Sequence, residues 1–276
     1  MGFLELYGIA ALTALLVVTL LWAASIALRD ASIIDMFWGL IFVGIAWSLL
    51  FFQRPGHRAK DAHRIAAGDG VGAATGLSSH RAQCGSGRRH SLSTLAPARR
   101  PELVADHVLP HLLLQGGVAV VVAAPLIAAF YRPDDLFAIN LFGVLVWAIG
   151  FAWEFTADVQ LSRFRASAER AAVLDEGLWR LCRRPNYFGD ALQWWGLGLF
   201  AFGGSTWWAL TGPLAMTLIF IYVSIEAMEQ GLRKRHPDYA HYLSRTPAFF
   251  HGYRVHGPMT RLQCRQSACA PNRARR

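Results

Sequence analysis

Residues Leu136 to Phe155 read LFAINLFGVLVWAIGFAWEF, a run with no charge before Glu154 and one amide, Asn140. About 20 such residues cross the hydrocarbon core of a bilayer as a helix, because backbone groups left unpaired in lipid are too costly. Similar blocks lie on either side. Leu112 to Tyr131 precedes it, divided from it by the polar Arg132-Pro133-Asp134-Asp135 turn. Phe3 to Leu28 and Ala31 to Phe52 lie further upstream, and Ala191 to Ile225 is long enough for two spans with a break at Gly203-Gly204-Ser205. The chain therefore reads as an all-α, polytopic transmembrane bundle of about six spans. Its 276 residues, 54% hydrophobic and 16% charged, exclude both a disordered tail and an ordinary soluble domain. The first block lacks a basic leader and runs straight into a second, so it reads as a span and not as a cleavable signal peptide.

Charge sets the expected orientation. The loop from Thr156 to Tyr187 carries Arg163, Arg165, Arg170, Arg180, Arg183 and Arg184, and the tail beyond Gly231 is basic almost throughout. Both are assigned to the cytoplasmic side of the membrane, with the C-terminus cytoplasmic, and Asp134-Asp135 to the outer side. In a polytopic protein the net charge of +9 reflects topology and anionic headgroups, not a nucleic-acid partner. The four cysteines, Cys84, Cys182, Cys264 and Cys269, lack metal-ligand spacing, so no metal is expected.

Polar residues gather at three places. Asp35 stands near the start of the second block. Glu154 and Asp158 share one helical face where the fourth block runs out, and two carboxylates so placed repel unless a cation neutralises them. Arg165 and the arginines before Pro185 are the expected source. The densest constellation is Gly177-Leu178-Trp179-Arg180-Leu181-Cys182-Arg183-Arg184-Pro185-Asn186-Tyr187-Phe188-Gly189-Asp190. There Pro185 starts a helix, Gly189 permits close approach, and two guanidiniums, an amide and a phenol converge. Such an array suits phosphate oxygens, and equally an interfacial belt of Arg and Tyr. A third cluster, Glu226 and Glu229 followed by Arg233, Lys234 and Arg235, offers carboxylates to the arginines of the preceding loop.

With its flanking motifs Phe155-x-x-Asp158-x-Gln160-x-x-x-Phe164, Glu226-x-x-Glu229 and Tyr239-x-x-Tyr242, this constellation resembles the steroid 5-alpha-reductase family. It is most similar to a bacterial branch of membrane proteins carrying a domain of unknown function, and the Arg-x-Pro-x-Tyr-x-Gly signature is shared with isoprenylcysteine carboxyl methyltransferases. The segment Ser32-Ile33-Ile34-Asp35-Met36-Phe37-Trp38-Gly39-Leu40 looks like that bacterial branch too. The resemblance implies an oxidoreductase acting on CH-CH groups, in which NADPH reduces an unsaturated, steroid-like lipid ketone that enters from the bilayer. Residue by residue, it implies cofactor binding by Asp158, Arg165, Arg183, Arg184, Asn186, Tyr187 and Asp190. Arg184 stands where many members have His. The family's proton donor, a tyrosine in an earlier span assisted by a carboxylate, has no matching position, so no catalytic residue is assigned. The shared signature leaves S-adenosylmethionine and methyl transfer as the alternative, and a non-enzymatic membrane protein as a third reading.

The missing part coincides with Arg54 to His111, a stretch rich in Arg, Gly, Ala, Ser and His and devoid of aromatic residues. Read one base later, the codons of Val71 to Gly76 can encode Trp-Gly-Leu-Arg-Leu, which ends a span in the bacterial branch. In the same frame Arg81 to Gly87 is compatible with Ala-Arg-Asn-Ala-Gly-Gln-Gly, Arg88 to Leu92 with Glu-Asp-Ile-Arg-Tyr, and Pro97 to His107 with a segment containing Trp-Trp. Beyond Phe250 a second shift restores Pro-Trp-Leu-Pro. The sequence is thus read as two N-terminal helices (1–52), a frameshifted segment (53–111), a reductase-like membrane domain (112–250) and a frameshifted basic tail (251–276), about seven spans being expected in the intact family. Resequencing the locus is expected to show a break in frame between codons 53 and 111. An unbroken frame encoding Arg54 to His111 unchanged, in a membrane-bound product, overturns this reading.

Overall fold

The computed structural model describes residues 1–28, 38–52, 113–131, 137–167, 173–235 and 239–249. Asp35, the Asp134-Asp135 turn, and the 53–111 and 251–276 segments lie outside these residues. All regular structure among them is helical. Helix α1 is Phe3–Leu28, α2 Gly39–Phe52, α3 Leu113–Val122, α4 Ala124–Tyr131, α5 Phe137–Ala166, α6 Leu178–Leu181 and α7 Pro185–Ala201. A 3-10 turn, Trp207–Leu210, leads into α8 (Thr211–Ile219), a π-helical turn (Phe220–Ser224), α9 (Ile225–Arg235) and α10 (Tyr239–Arg245).

Among the described residues, three helical runs are long and apolar enough to cross a membrane, Phe3–Ala24, Ala138–Ala166 and Trp207–Arg233, and a fourth if α3 and α4 are one bent span. That is fewer than the six expected. Helix α2 has 14 described residues and α7 has 17, roughly 21 and 26 Å of helix, short of the ~30 Å core. The break at Gly203-Gly204-Ser205 falls where anticipated, with α7 ending at Ala201 and Phe202 extended. Helices α3 and α4 meet at 45°, and the cause is Pro125, which lacks an N–H and whose ring displaces the carbonyl one turn back. Gly212 at the head of α8 lodges in this bend, its Cα so near Pro125 and the Val122 carbonyl that an added Cβ would lie 2.5 Å from each.

Side chains are sorted by solvent as lipid requires. On α1, Leu6, Ala10, Ala14 and Val18, each one turn apart, face inward against Ile41, Phe42, Ile45 and Leu49 of α2. The opposite face of α1 presents Leu4, 81% exposed, and Leu12, 70% exposed. Water would not tolerate such a face on a monomer, whereas a bilayer welcomes it. Phe42 and Trp194 meet with ring centroids 4.7 Å apart, which joins α2 to α7.

The closest packing is between α5 and α7. Gly143 and Gly150 on α5, and Gly189 and Gly196 on α7, are each seven residues apart, so each pair lies on one stripe of its helix. The helices run antiparallel, Gly143 against Gly196 and Phe200, Gly150 against Gly189 and Gln193. A Cβ at Gly143 would sit 2.5 Å from the Phe200 nitrogen, and one at Gly196 would sit 2.5 Å from the Trp147 nitrogen. Both obstacles are backbone and cannot rotate away. Gly150→Val and Gly196→Val should each destabilise the detergent-solubilised protein by at least the ~1–3 kcal/mol of an overpacked core. Gly117→Ala, with nothing within 4 Å of the new methyl, should be neutral or stabilising. Thermal unfolding of the three variants checks this.

Candidate functional site at the head of α7

The site is assembled where the glycine seam ends. Gly189 passes so close to Glu154 that a Cβ there would lie 2.6 Å from the Glu154 nitrogen, and this brings the polar ends of α5 and α7 into register. Glu154 and Gln193 are both buried, and the Gln193 amide donates to the Glu154 carboxylate. The partner anticipated for Glu154 was an arginine. The Gln193 amide is one partner that the seam itself supplies. One turn further, Asp158 of α5, also buried, stands close enough to Asp190 of α7 for each carboxylate to feel the other's charge. Asp190 Oδ1 has no hydrogen-bond partner among the described residues.

The loop between α5 and α7 is held by local chemistry. Gly177 has φ of 57°, a left-handed conformation that a side chain would strain, and the Gln160 amide fills the space beside it. Gln160 Oε1 accepts from the Leu178 N–H at 3.0 Å, serving the first turn of α6. Trp179 donates from Nε1 to the Ala157 carbonyl at 3.1 Å, tying α6 to α5. Pro185 opens α7 as its first helical residue, where its missing N–H costs nothing.

The two arginines before Pro185 have different fates. Arg183 is directed into the C-terminal segment, with Nε 2.8 Å from Glu229 Oε1 and Nη1 donating to the carbonyls of Leu243 at 3.1 Å and Thr246 at 3.0 Å. Glu229, fully buried, also meets Arg233 at 3.4 Å, so the third cluster does supply a carboxylate to this loop. Glu226 does not; it accepts instead from Gln230 at 3.1 Å. Arg184, only 6% exposed, lies over the Tyr187 ring with 5.9 Å from its central carbon to the centroid. Its Nε and Nη2 have no hydrogen-bond partner among the described residues, nor has Oδ1 of the neighbouring buried Asn186. The Tyr187 ring is also stacked on Phe220, centroids 4.9 Å apart and planes 11° apart. Arg165 is half-buried in the last turn of α5, about two turns beyond Asp158.

The sequence-derived set thus divides. Asp158, Arg184, Asn186, Tyr187 and Asp190 collect about the head of α7, while Arg183 holds the neighbouring segment. Gln193 was missed, although a lone amide in the apolar run from Ala191 is the kind of signal that marks a functional or packing polar residue in a span. What the arrangement offers is a dehydrated guanidinium with free donors, beside an amide oxygen and a carboxylate oxygen equally free. Buried polar atoms in this state call for a ligand or water. An anion for Arg184 and hydroxyl or amide donors for Asn186 and Asp190 would meet all three needs. Among the described residues no group of three or more His, Cys, Asp or Glu could hold a metal.

Burial also sets the protonation of the surrounding groups. It raises the Tyr239 and Tyr242 phenols above their ordinary range, so both stay neutral donors at physiological pH, and Tyr242 Oη donates to the Trp179 carbonyl. The Cys182 thiol is pushed up to about 11 by burial. Because the thiolate is the reactive form, Cys182 should resist iodoacetamide at pH 8 in the folded protein and react readily once unfolded. Site-resolved mass spectrometry of the labelled protein checks this, and fast labelling in the folded state would contradict it.

A family model described as "Protein of unknown function (DUF1295)" matches residues 94–246. No curated protein and no solved structure matches the chain. The family match takes in α3 through α10 and every residue placed at the head of α7, and it extends over more than half of the 276 residues. The chain belongs to the DUF1295 family.

Proposed function

We propose that this chain derives from a membrane-embedded, NADPH-dependent reductase of an unsaturated lipid ketone, with the cofactor's phosphates received at the head of α7 on the cytoplasmic side. The observation that carries the reading is Arg184, a buried cation with two nitrogens unmatched among the described residues. A guanidinium in that state fits a phosphate far better than it fits water or lipid. The same observation favours the dinucleotide over S-adenosylmethionine, which offers the arginine one carboxylate where NADPH offers several phosphate oxygens. Asn186 and Asp190 supply acceptors for ribose or amide donors, and Asp158 lies beside Asp190. NADPH, when bound, supplies the hydride; a lipid ketone would reach the site from the bilayer.

The six-span topology, the inner-membrane location with a cytoplasmic C-terminus, and the loss of the proton donor to a shifted frame in 53–111 belong to the same proposal. Together they make this polypeptide a binder of cofactor that does not turn over substrate. Purified protein in detergent is expected to bind NADPH and not S-adenosylmethionine, by fluorescence or calorimetric titration. Asn186→Ala and Arg184→Ala should each weaken NADPH at least tenfold. Preference for S-adenosylmethionine would establish the methyltransferase reading, and binding of neither would favour a non-enzymatic membrane protein.

A further inference from the structure

Two neighbouring buried arginines share the head of α7, and only one of them has a carboxylate. Arg183 engages Glu229 Oε1 at 2.8 Å and Arg233 engages Oε2 at 3.4 Å, whereas Arg184 Nε and Nη2 meet no acceptor among the described residues. Arg183 does more than form an ion pair. Its backbone N–H donates to the Pro247 carbonyl at 2.9 Å, and its Nη1 donates to the carbonyls of Leu243 and Thr246. With the Tyr242 hydroxyl bound to the Trp179 carbonyl, these contacts hold the segment from Tyr239 to Phe249 against the loop that precedes α7. Phe249 closes the far end, 5.8 Å from the Phe188 ring. Tyr239 and Tyr242 on this strap lie close enough to Arg184 for its charge to act on both phenols.

We propose that Arg183 and Glu229 are positioning residues: their buried ion pair straps segment 239–249 over the head of α7, and so keeps Arg184 dehydrated and free of any carboxylate. The inference rests on the reading of that head as an anion-binding cofactor site. Its logic is a sorting of charge. A carboxylate free to choose between adjacent guanidiniums would neutralise either, and the strap's carbonyls decide the choice, because they reward the arginine that can donate to them as well. A site relaxed in this way would lose affinity through Arg184 although Arg184 itself is untouched.

The test uses the full-length chain in detergent, with Glu229→Gln and Arg183→Lys, the second keeping the charge while losing the two-pronged contact with the strap. Three quantities are read: amide hydrogen exchange of 239–249, modification of Arg184 by phenylglyoxal followed by mass spectrometry, and NADPH affinity. Both variants should show at least tenfold faster exchange across 239–249 with α1 and α2 unchanged, Arg184 newly open to the reagent, and NADPH at least tenfold weaker. Arg184→Ala should lose NADPH while its strap exchanges as slowly as in the parent. Should Glu229→Gln fail to fold, Arg183→Lys carries the same comparison. An Arg184 as protected and a strap as slow in the folded variants as in the parent would overturn the proposal. A parent that binds no NADPH would defeat the cofactor reading alone, since exchange and labelling judge the strap without any ligand.

Discussion

Everything at the candidate site depends on how closely two backbones pass. In water, burial of large apolar side chains would drive helices together, but lipid tails are as apolar as leucine and offer no such gain. What remains is close contact of main chains, and the α5 and α7 glycines make it by removing every Cβ from the line of approach. Dispersion between dense, well-fitted surfaces then substitutes for the hydrophobic effect. The consequence is positional. Because Gly189 rests directly on Glu154, the polar residues at the ends of both helices are delivered to a fixed register without any loop having to place them.

That register explains why the polar groups lie on the inside. Glu154 with Gln193, then Asp158 with Asp190, form successive rungs between the helices, while Leu141, Phe142, Leu145 and Ile149 cover the outside of α5. The distribution is that of a soluble protein turned inside out along one seam. Buried charge is expensive, and the chain meets most of the cost at Arg183 and Glu229 with a short ion pair and two carbonyl acceptors. Breaking such a pair by removing one member ordinarily costs roughly 3–5 kcal/mol. Arg184 lacks that compensation, and its Nε and Nη2, with Oδ1 of Asn186 and of Asp190, are buried and unmatched among the described residues, the condition in which ligands are found.

The helices were legible wherever apolar runs had hard edges. Gly203-Gly204-Ser205 and Pro185 each mark a boundary that the backbone respects, because a missing N–H or Cβ acts locally, whereas the bend at Pro125 lies inside a block that reads as one span. The number of spans was less legible. Apolar length alone does not reveal that α7 begins only at Pro185 and ends at Ala201, or that 207–233 forms one apolar helical run. At the site, residue types were readable and partnerships were not. Glu229 was seen as a carboxylate for an arginine, but that it takes Arg183 and leaves Arg184 depends on the strap, which is remote in sequence. The glycine stripes show a similar limit: each seven-residue spacing is visible by itself, whereas the match between stripes is a tertiary fact.

The π-helical turn at Phe220–Ser224 separates α8, whose face is set by Gly212 and Thr217 near the bend and by the Trp195 indole, from α9, which carries Glu229. Such a turn holds one residue more than an α-helix needs, and each residue rotates the downstream helix by about 100°. It acts as a phase adjuster. The lipid-packed half and the charged half of one continuous rod can thereby answer to separate rotational demands.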